Sequence, residues 1–318
     1  MDSAATVVRQ KGWPVKVVAG AYGVSRSQLY VRLRDAQLSC CASSNSQKLP
    51  RATSVKGKGP SGPRRRAPLT EASAAADAAD LVEIRALVHE RQTYGYRRAA
   101  AMINRRRRSQ GRRALNHKRA YRLMRENHLL LQRHTGAQPG RVHDGKIEVQ
   151  APNTRWCSDT FEIRIWNGER VYVGFSLDCC DRESIAFVAS KTDITGENIR
   201  DLMLASLQQR FGDHARQAPA TIQWLSDNGG CYRALETIEF AESIGLNPCF
   251  TPPYSPQSNG MAESFVKSFK RDYVYVNELP DADTVIAKLA GWFHDYNHLR
   301  PHKALKMMSP VEYQQQAA

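Results

Sequence analysis

Residues 155–190 read RWCSDTFEIRIWNGERVYVGFSLDCCDRESIAFVAS. The runs RWCSDTFEIRIW, ERVYVGFSLDCCD and SIAFVAS are rich in β-branched and aromatic residues and predict three strands. Asn167-Gly168 separates the first two, and that dipeptide accepts the left-handed backbone of a tight hairpin turn. Beyond this block the pattern alternates. TGENIRDLMLASLQQRF predicts a capped amphipathic helix, TIQWLSDNGG a strand ending in a turn, YRALETIEFAESIG a helix and LNPCFTP a short strand. After the turn-rich PPYSPQSNG, MAESFVKSFKRDYVYV predicts another helix. Strands in a run, then strands alternating with helices, predict an α/β fold with a mixed sheet and helices packed on it.

Upstream of the sheet the reading is helical. Residues 71–92, 96–108 and 117–128 carry helical signals, with Asn116 as N-cap of the last. Arg97 and Arg98 open the middle helix. On the last, Lys118, Arg119 and Arg122 surround an apolar face of Ala120, Leu123 and Met124, the pattern of a second helical DNA-binding module. Residues 36–70 are rich in Ser, Gly, Pro and Lys/Arg, a composition that cannot bury a core and predicts a flexible basic linker. Residues 13–34 predict two short helices about Gly23, a helix-turn-helix with Ser25 as N-cap and Arg26, Ser27 and Gln28 at the start of the second helix, where base edges are read. The predicted domains are therefore 1–35, 36–70, 71–140, a catalytic core at 150–276, and a C-terminal helical segment at 277–318.

Charge divides the chain in the same place. Residues 1–150 hold 30 Lys+Arg against 10 Asp+Glu; residues 151–318 hold 16 against 21. One half is built to hold a polyanion and the other to do something else. Across the 318 residues no run approaches the ~20 apolar residues of a membrane helix. The start lacks the apolar region of a secretory signal. Seven cysteines, two pairs of them adjacent and none in C-x-x-C spacing, predict reduced thiols and no zinc ribbon.

Three carboxylates stand where an exposed site would place them. Asp159 lies in the first strand, Asp227 at the end of a later strand before Asn228-Gly229, and Glu263 in the first turn of a helix whose start is marked by Asn259-Gly260. The gaps between them are 67 and 35 residues. Converging acids repel one another unless hard divalent cations neutralise them, and two Mg²⁺ ions bridged by carboxylates suit phosphoryl transfer. Lys267 and Lys270, four and seven residues beyond Glu263, share its helical face and would meet DNA phosphates.

Other signals are weaker. GRVHDGK at 140–146 lacks the Ser/Thr of a nucleotide-binding loop, because Ile147 follows it. His294, His298 and His302 have four-residue spacing, but Pro301 breaks the helix between the last two, so they read as surface histidines. Asp178 and Asp181 read as structural.

The strings WCSDTFE, LSDNGG and PYSPQSNGMAESFVKSFKRDY, with the 35-residue gap and Lys270, resemble the DDE transposase/retroviral integrase superfamily. Within it the chain is most similar to bacterial insertion-sequence transposases of the OrfB type, and TYGYRR, NHKRAYRLMRENHL and YNHLRPHKAL…SPVEY extend that resemblance over about residues 80–315. The resemblance implies an RNase H-like core whose Asp159, Asp227 and Glu263 bind two Mg²⁺ ions, with Mn²⁺ able to substitute. It implies cleavage of element ends by water and strand transfer by the resulting 3′-OH, with Lys270 on element-end DNA. It further implies double-stranded DNA as partner, a homo-oligomer on that DNA, an upstream-frame product fused by frameshifting, and a cytoplasmic, nucleoid-associated bacterial protein. Two alternatives stay open at this stage. A structure-selective nuclease explains the acids and the basic arm but not the C-terminal segment, and a helix-turn-helix regulator with a catalytically dead core as dimerisation platform is opposed by the presence of all three acids.

Overall fold

A computed structural model describes residues 71–132, 149–252 and 259–317, together with Val18 and Leu33 alone. The expected helix-turn-helix at 1–35 with Arg26, Ser27 and Gln28, the linker at 36–70, and the GRVHDGK loop lie outside the described residues.

The first described unit is three helices: α1 (Glu71–Glu90), α2 (Tyr96–Ser109) and α3 (His117–Glu126). Asn116 caps α3 as expected, its side chain accepting from the Lys118 amide at 2.9 Å. Ile84, Leu87, Ala99, Met102, Ile103, Leu123 and Met124 form their shared core. The α2–α3 turn is pinned from both sides: Asn104 Nδ2 donates to the Leu115 carbonyl at 2.9 Å, and the Leu115 amide donates back to Asn104 Oδ1 at 2.6 Å.

Then come β1 (Arg155–Arg164), β2 (Arg170–Asp178), β3 (Ser184–Ser190), α4 (Gly196–Phe211), β4 (Ile222–Ser226), the short α5 (Gly230–Arg233), α6 (Leu235–Ser243), β5 (Leu246–Phe250) and α7 (Gly260–Phe269). The expected single helix over 232–245 is broken by extended backbone at Ala234. The sheet order is β3-β2-β1-β4-β5. β1, β2 and β3 pair antiparallel, while β4 and β5 run parallel to β1. Gly168 takes the left-handed backbone that the hairpin turn requires (φ 92°). This is the mixed sheet the sequence predicts, in the RNase H-like arrangement.

Side-chain alternation divides the core between the two faces of the sheet. Cys157, Phe161 and Ile163 of β1 and Val173, Phe175 and Leu177 of β2 point to one face, where α7 and α8 (Ala282–His298) pack. Trp156 and Trp224 point to the other, against α4 and α6. Thr195 caps α4 through a reciprocal pair with Asn198. Leu289, Trp292, Phe293 and Tyr296 of α8 share the core of β1 and β2, so the boundary expected at 276/277 cuts through a single packed unit.

The helix expected over 261–276 is α-helical only to Phe269 and continues as a π turn over Lys270–Val274. That wider turn buries Asp272, whose carboxylate meets Arg300 at 2.9 Å, Arg271 at 2.7 Å and Arg98 at 3.4 Å. Burial alone would raise its pKa, but the three guanidinia outweigh that and hold Asp272 at about 2. Tyr273 donates to Asp295, which also takes Arg91, so the three-helix module is bolted to the core. After α8 a 3-10 turn (Lys303–Leu305) leads to α9 (Pro310–Ala317). Among the described residues no helix is long and apolar enough to cross a membrane.

Candidate active site

Asp159 is an odd-numbered residue of β1, so its side chain leaves the sheet on the face that carries α7. The last rung of the β1–β4 ladder is Cys157↔Leu225. Asp159 stands two residues further along β1, and Asp227 directly follows the end of β4, near enough for its charge to act on Asp159. Glu263 projects from the first turn of α7, which Phe265 and Phe269 fix against Phe175 and Phe161 at ring separations of 4.3 and 5.7 Å. Glu263 and Asp227 are exposed, whereas Asp159 is partly buried.

The electrostatics record the convergence. Burial is the main cause that pushes Asp159 up to about 6, and the charges of Asp227 and Glu263 push it further, against a 2.8 Å hydrogen bond from the Thr160 amide that favours the ionised form. No Lys or Arg among the described residues forms an ion pair with any of the three. Equally, among the described residues no three acidic, histidine or cysteine side chains stand close enough to grip an ion as they are. The donor chemistry nevertheless fits a hard divalent cation: three oxygen ligands, uncompensated charge, and one acid whose ionisation its neighbours oppose.

Sequence reasoning missed the groups that hold this arrangement. Ser158, the residue before Asp159, shares a 2.8 Å hydrogen bond with the buried hydroxyl of Tyr232, just past Asp227. The Ser158 carbonyl accepts from Asn259 Nδ2 at 3.3 Å, four residues before Glu263. One residue of β1 thus ties together the segments that bear all three acids. Asn259-Gly260 marks the helix start as expected, but the Asn259 side chain makes no cap bond and serves as this tether. Nothing in the local sequence signals Tyr232, because its partner is 74 residues away.

Gly229, by contrast, was visible in the DNGG string. Its amide donates to Asp227 Oδ1 at 3.0 Å, and a Cβ there would lie 3.0 Å from the same oxygen. Gly229→Ala should therefore displace the Asp227 carboxylate by a few tenths of an ångström. We expect a loss of strand-joining rate of about tenfold or more, with an unfolding midpoint within about 2 °C of the parent; unchanged rates would show that this carboxylate tolerates displacement.

The remaining expected site residues separate into two groups. Lys267 is exposed one turn beyond Glu263. The Lys270 ammonium lies 5.6 Å from the Phe161 ring centroid, and burial lowers its pKa. Arg97 and Lys118 are exposed. Arg98, Arg119 and Arg122, expected on DNA, are instead spent inside the fold. Arg98 pairs with Asp272, Arg119 with Asp77 and Asp80, and Arg122 with Asp77 at 2.7 Å. The reason is that Asp77 and Asp80 of α1 turn inward and need partners. His302 is not a surface histidine: it is buried, and burial followed by the Arg300 charge pushes it down to about 3, so it is neutral. Asp178 and Asp181 are fully buried and held by backbone amides and Arg210, the structural role expected of them.

Comparison with known proteins bears on the whole chain. The family model described as Integrase core domain matches residues 149–256, and a second of the same description matches 244–310. An HTH-like domain matches 75–135, and the N-terminal domain of IS2 transposase InsD matches 1–37. The InsD transposase of insertion element IS2D from Escherichia coli strain K12 is 41% identical over 319 residues, covering all of this chain and 96% of that protein. The chain belongs to the insertion-sequence transposases of the DDE superfamily. As a transposase it is a polynucleotidyl transferase that works on DNA, with an integrase core and an HTH-like module. InsD of IS2 on the F plasmid matches to the same extent. Among solved structures, the catalytic core of BIV integrase is 20% identical with a TM-score of 0.36, covering 52% of this chain and 96% of that one. The Mos1 transposase catalytic domain with raltegravir and Mg is 14% identical with a TM-score of 0.38, covering 44% and 71%.

Proposed function

We propose that this transposase cleaves DNA at the 3′ ends of an insertion element and joins them to target DNA, with Asp159, Asp227 and Glu263 as catalytic ligands of two Mg²⁺ ions, Mn²⁺ being able to substitute. The observation that carries this reading is that Asp159 is partly buried within reach of the charges of Asp227 and Glu263, and that no cation among the described residues pairs with any of the three. When bound, divalent ions supply charge neutralisation and a more nucleophilic oxygen. In the first reaction a water oxygen attacks the end phosphorus, the P–O3′ bond breaks, and the leaving 3′ oxygen takes up a proton. In the second, that 3′-OH attacks a target phosphodiester, and the displaced target 3′ oxygen is protonated in turn.

The chain's own groups contribute position. Ser158, Tyr232 and Asn259 hold the acid-bearing segments in place, and the phenylalanines of α7 hold Glu263 toward the sheet. Lys267 and Lys270 stand on the same helix to meet phosphates. Pairing of two ends requires more than one protomer, which gives a homo-oligomer on DNA, and an upstream-frame product acts with or fused to this chain.

The test is a strand-transfer assay with labelled duplexes ending in the element's terminal repeats. Joined products are expected with Mg²⁺ and none with a chelator. Nicking without any joining, with or without the upstream-frame product, would replace this reading by a nuclease.

A further inference from the structure

The three-helix module and the C-terminal segment meet around an open cavity of about 620 Å³, lined by α2, the start of α3 and residues 306–316. Four of its lining cations, Arg97, Arg108, Lys118 and Lys306, are exposed and have no carboxylate partner among the described residues. Elsewhere in the module Arg98, Arg107, Arg119 and Arg122 are neutralised by acids, whereas Arg85, Arg113 and Arg125 are exposed and without a carboxylate partner among the described residues, like the groove cations, but do not line the cavity. The one carboxylate in the lining, Glu312, is taken by Arg105 and by the Ser309 amide. Cations gathered without counter-charge repel one another, and an anion relieves that repulsion.

The C-terminal wall is shaped for the purpose. Lys306 and Met307 are successive non-glycine residues with left-handed backbone (φ 54° and 68°), a conformation that persists only where surrounding bonds impose it. Here the bonds are His302 N to the Met308 carbonyl at 2.9 Å, Met307 N to the His302 carbonyl at 2.8 Å and Met308 N to the Leu305 carbonyl at 2.9 Å. The turn holds Lys306 in a lining that also includes Arg108 and Lys118. The volume lies within the roughly 300–1,000 Å³ of a small-ligand site. It is too small to enclose a duplex and, being open, does not wrap a single phosphate.

We propose that this groove carries one sugar-phosphate strand of the DNA duplex bound by the helical module, so that the C-terminal segment touches DNA together with the helices. The proposal rests on the transposase reading above, and its test separates the two. Binding of the full chain to a fluorescent duplex is followed by anisotropy between about 50 and 200 mM salt, where each lost phosphate contact lowers the log–log slope by about 0.9. Lys306→Gln is expected to lower the slope by about one contact, and Arg108→Gln with Lys118→Gln by about two. Lys306→Arg should restore it. Arg216→Gln, exposed and outside the groove, should leave it unchanged. These residues lack ion-pair partners, so their unfolding midpoints should stay with the parent. Parental slopes in both the Lys306→Gln and the Arg108→Gln/Lys118→Gln proteins would overturn the groove and leave the transposase reading standing. A parent chain that binds no duplex would overturn both.

Discussion

Asp227→Asn is expected to abolish both end cleavage and strand joining, by about 10³-fold or more, while duplex affinity stays within about twofold of the parent. Glu263→Gln should do the same. Both side chains are exposed, neither has an ion-pair partner among the described residues, and neither contributes to the core, so the substitutions remove charge without removing packing. Asp159→Asn should be equally inactive, but it carries a second signature. In the metal-free protein the folded state holds a proton on Asp159 up to about pH 6, whereas an ordinary aspartate loses it near 3.8. Between those values the folded state binds more protons than the unfolded one, so stability falls as pH rises and then levels off. About two pH units correspond to about 2–3 kcal/mol, which Asp159→Asn should recover at pH 8 and not at pH 4. Denaturant titration without metal at the two pH values measures this. An Asn variant no more stable than the parent at pH 8 would mean that neither burial nor the neighbouring charges hold a proton on Asp159.

The largest structural effect is expected far from the chemistry. Asp272→Asn leaves Arg98, Arg271 and Arg300 around a buried site with no counter-charge. Breaking such a buried network costs about 3–5 kcal/mol, which for a chain of this size lowers the unfolding midpoint by roughly 5–8 °C. Because the carboxyl is depressed to about 2, its contribution is fully present above pH 3.8 and fades as pH falls through 2, so the gap between parent and variant should close in acid. The exposed pair Lys191–Asp283 gives the contrast: Asp283→Asn should cost under about 0.5 kcal/mol. An Asp272→Asn protein that unfolds with the parent would show the hub to be dispensable. Arg98 belongs to the three-helix module and Asp272 follows the helix of Glu263, so a weakened hub should also loosen the module's hold on the core.

Much of this architecture is legible along the chain, for a local reason. Strand alternation, the Asn167-Gly168 turn, the Thr195 cap and the spacing of Phe265 and Phe269 are each decided within one or two turns of backbone, so the residues that specify an element lie inside it. The three candidate acids could be singled out for that reason: Asp159 lies inside a strand, Asp227 just past the end of another and Glu263 in the first turn of a helix, each element being defined by its own neighbours. Partners are another matter. Arg98, Arg119 and Arg122 read as free cations on a basic helix face, yet each is claimed by an acid that the helix alone does not reveal: Asp272 lies 174 residues from Arg98. Burial of His302, the Ser158 tether to Tyr232 and Asn259, and the groove beside Lys306 likewise join segments far apart in the chain. By itself the sequence determined most of the elements, their order and the three acids to propose for the chemistry, because local sterics and periodicity act over a few residues. Only the tertiary structure decided which charges are neutralised within the fold and which remain for DNA, because a charge must find a partner wherever packing buries it, at any distance along the chain.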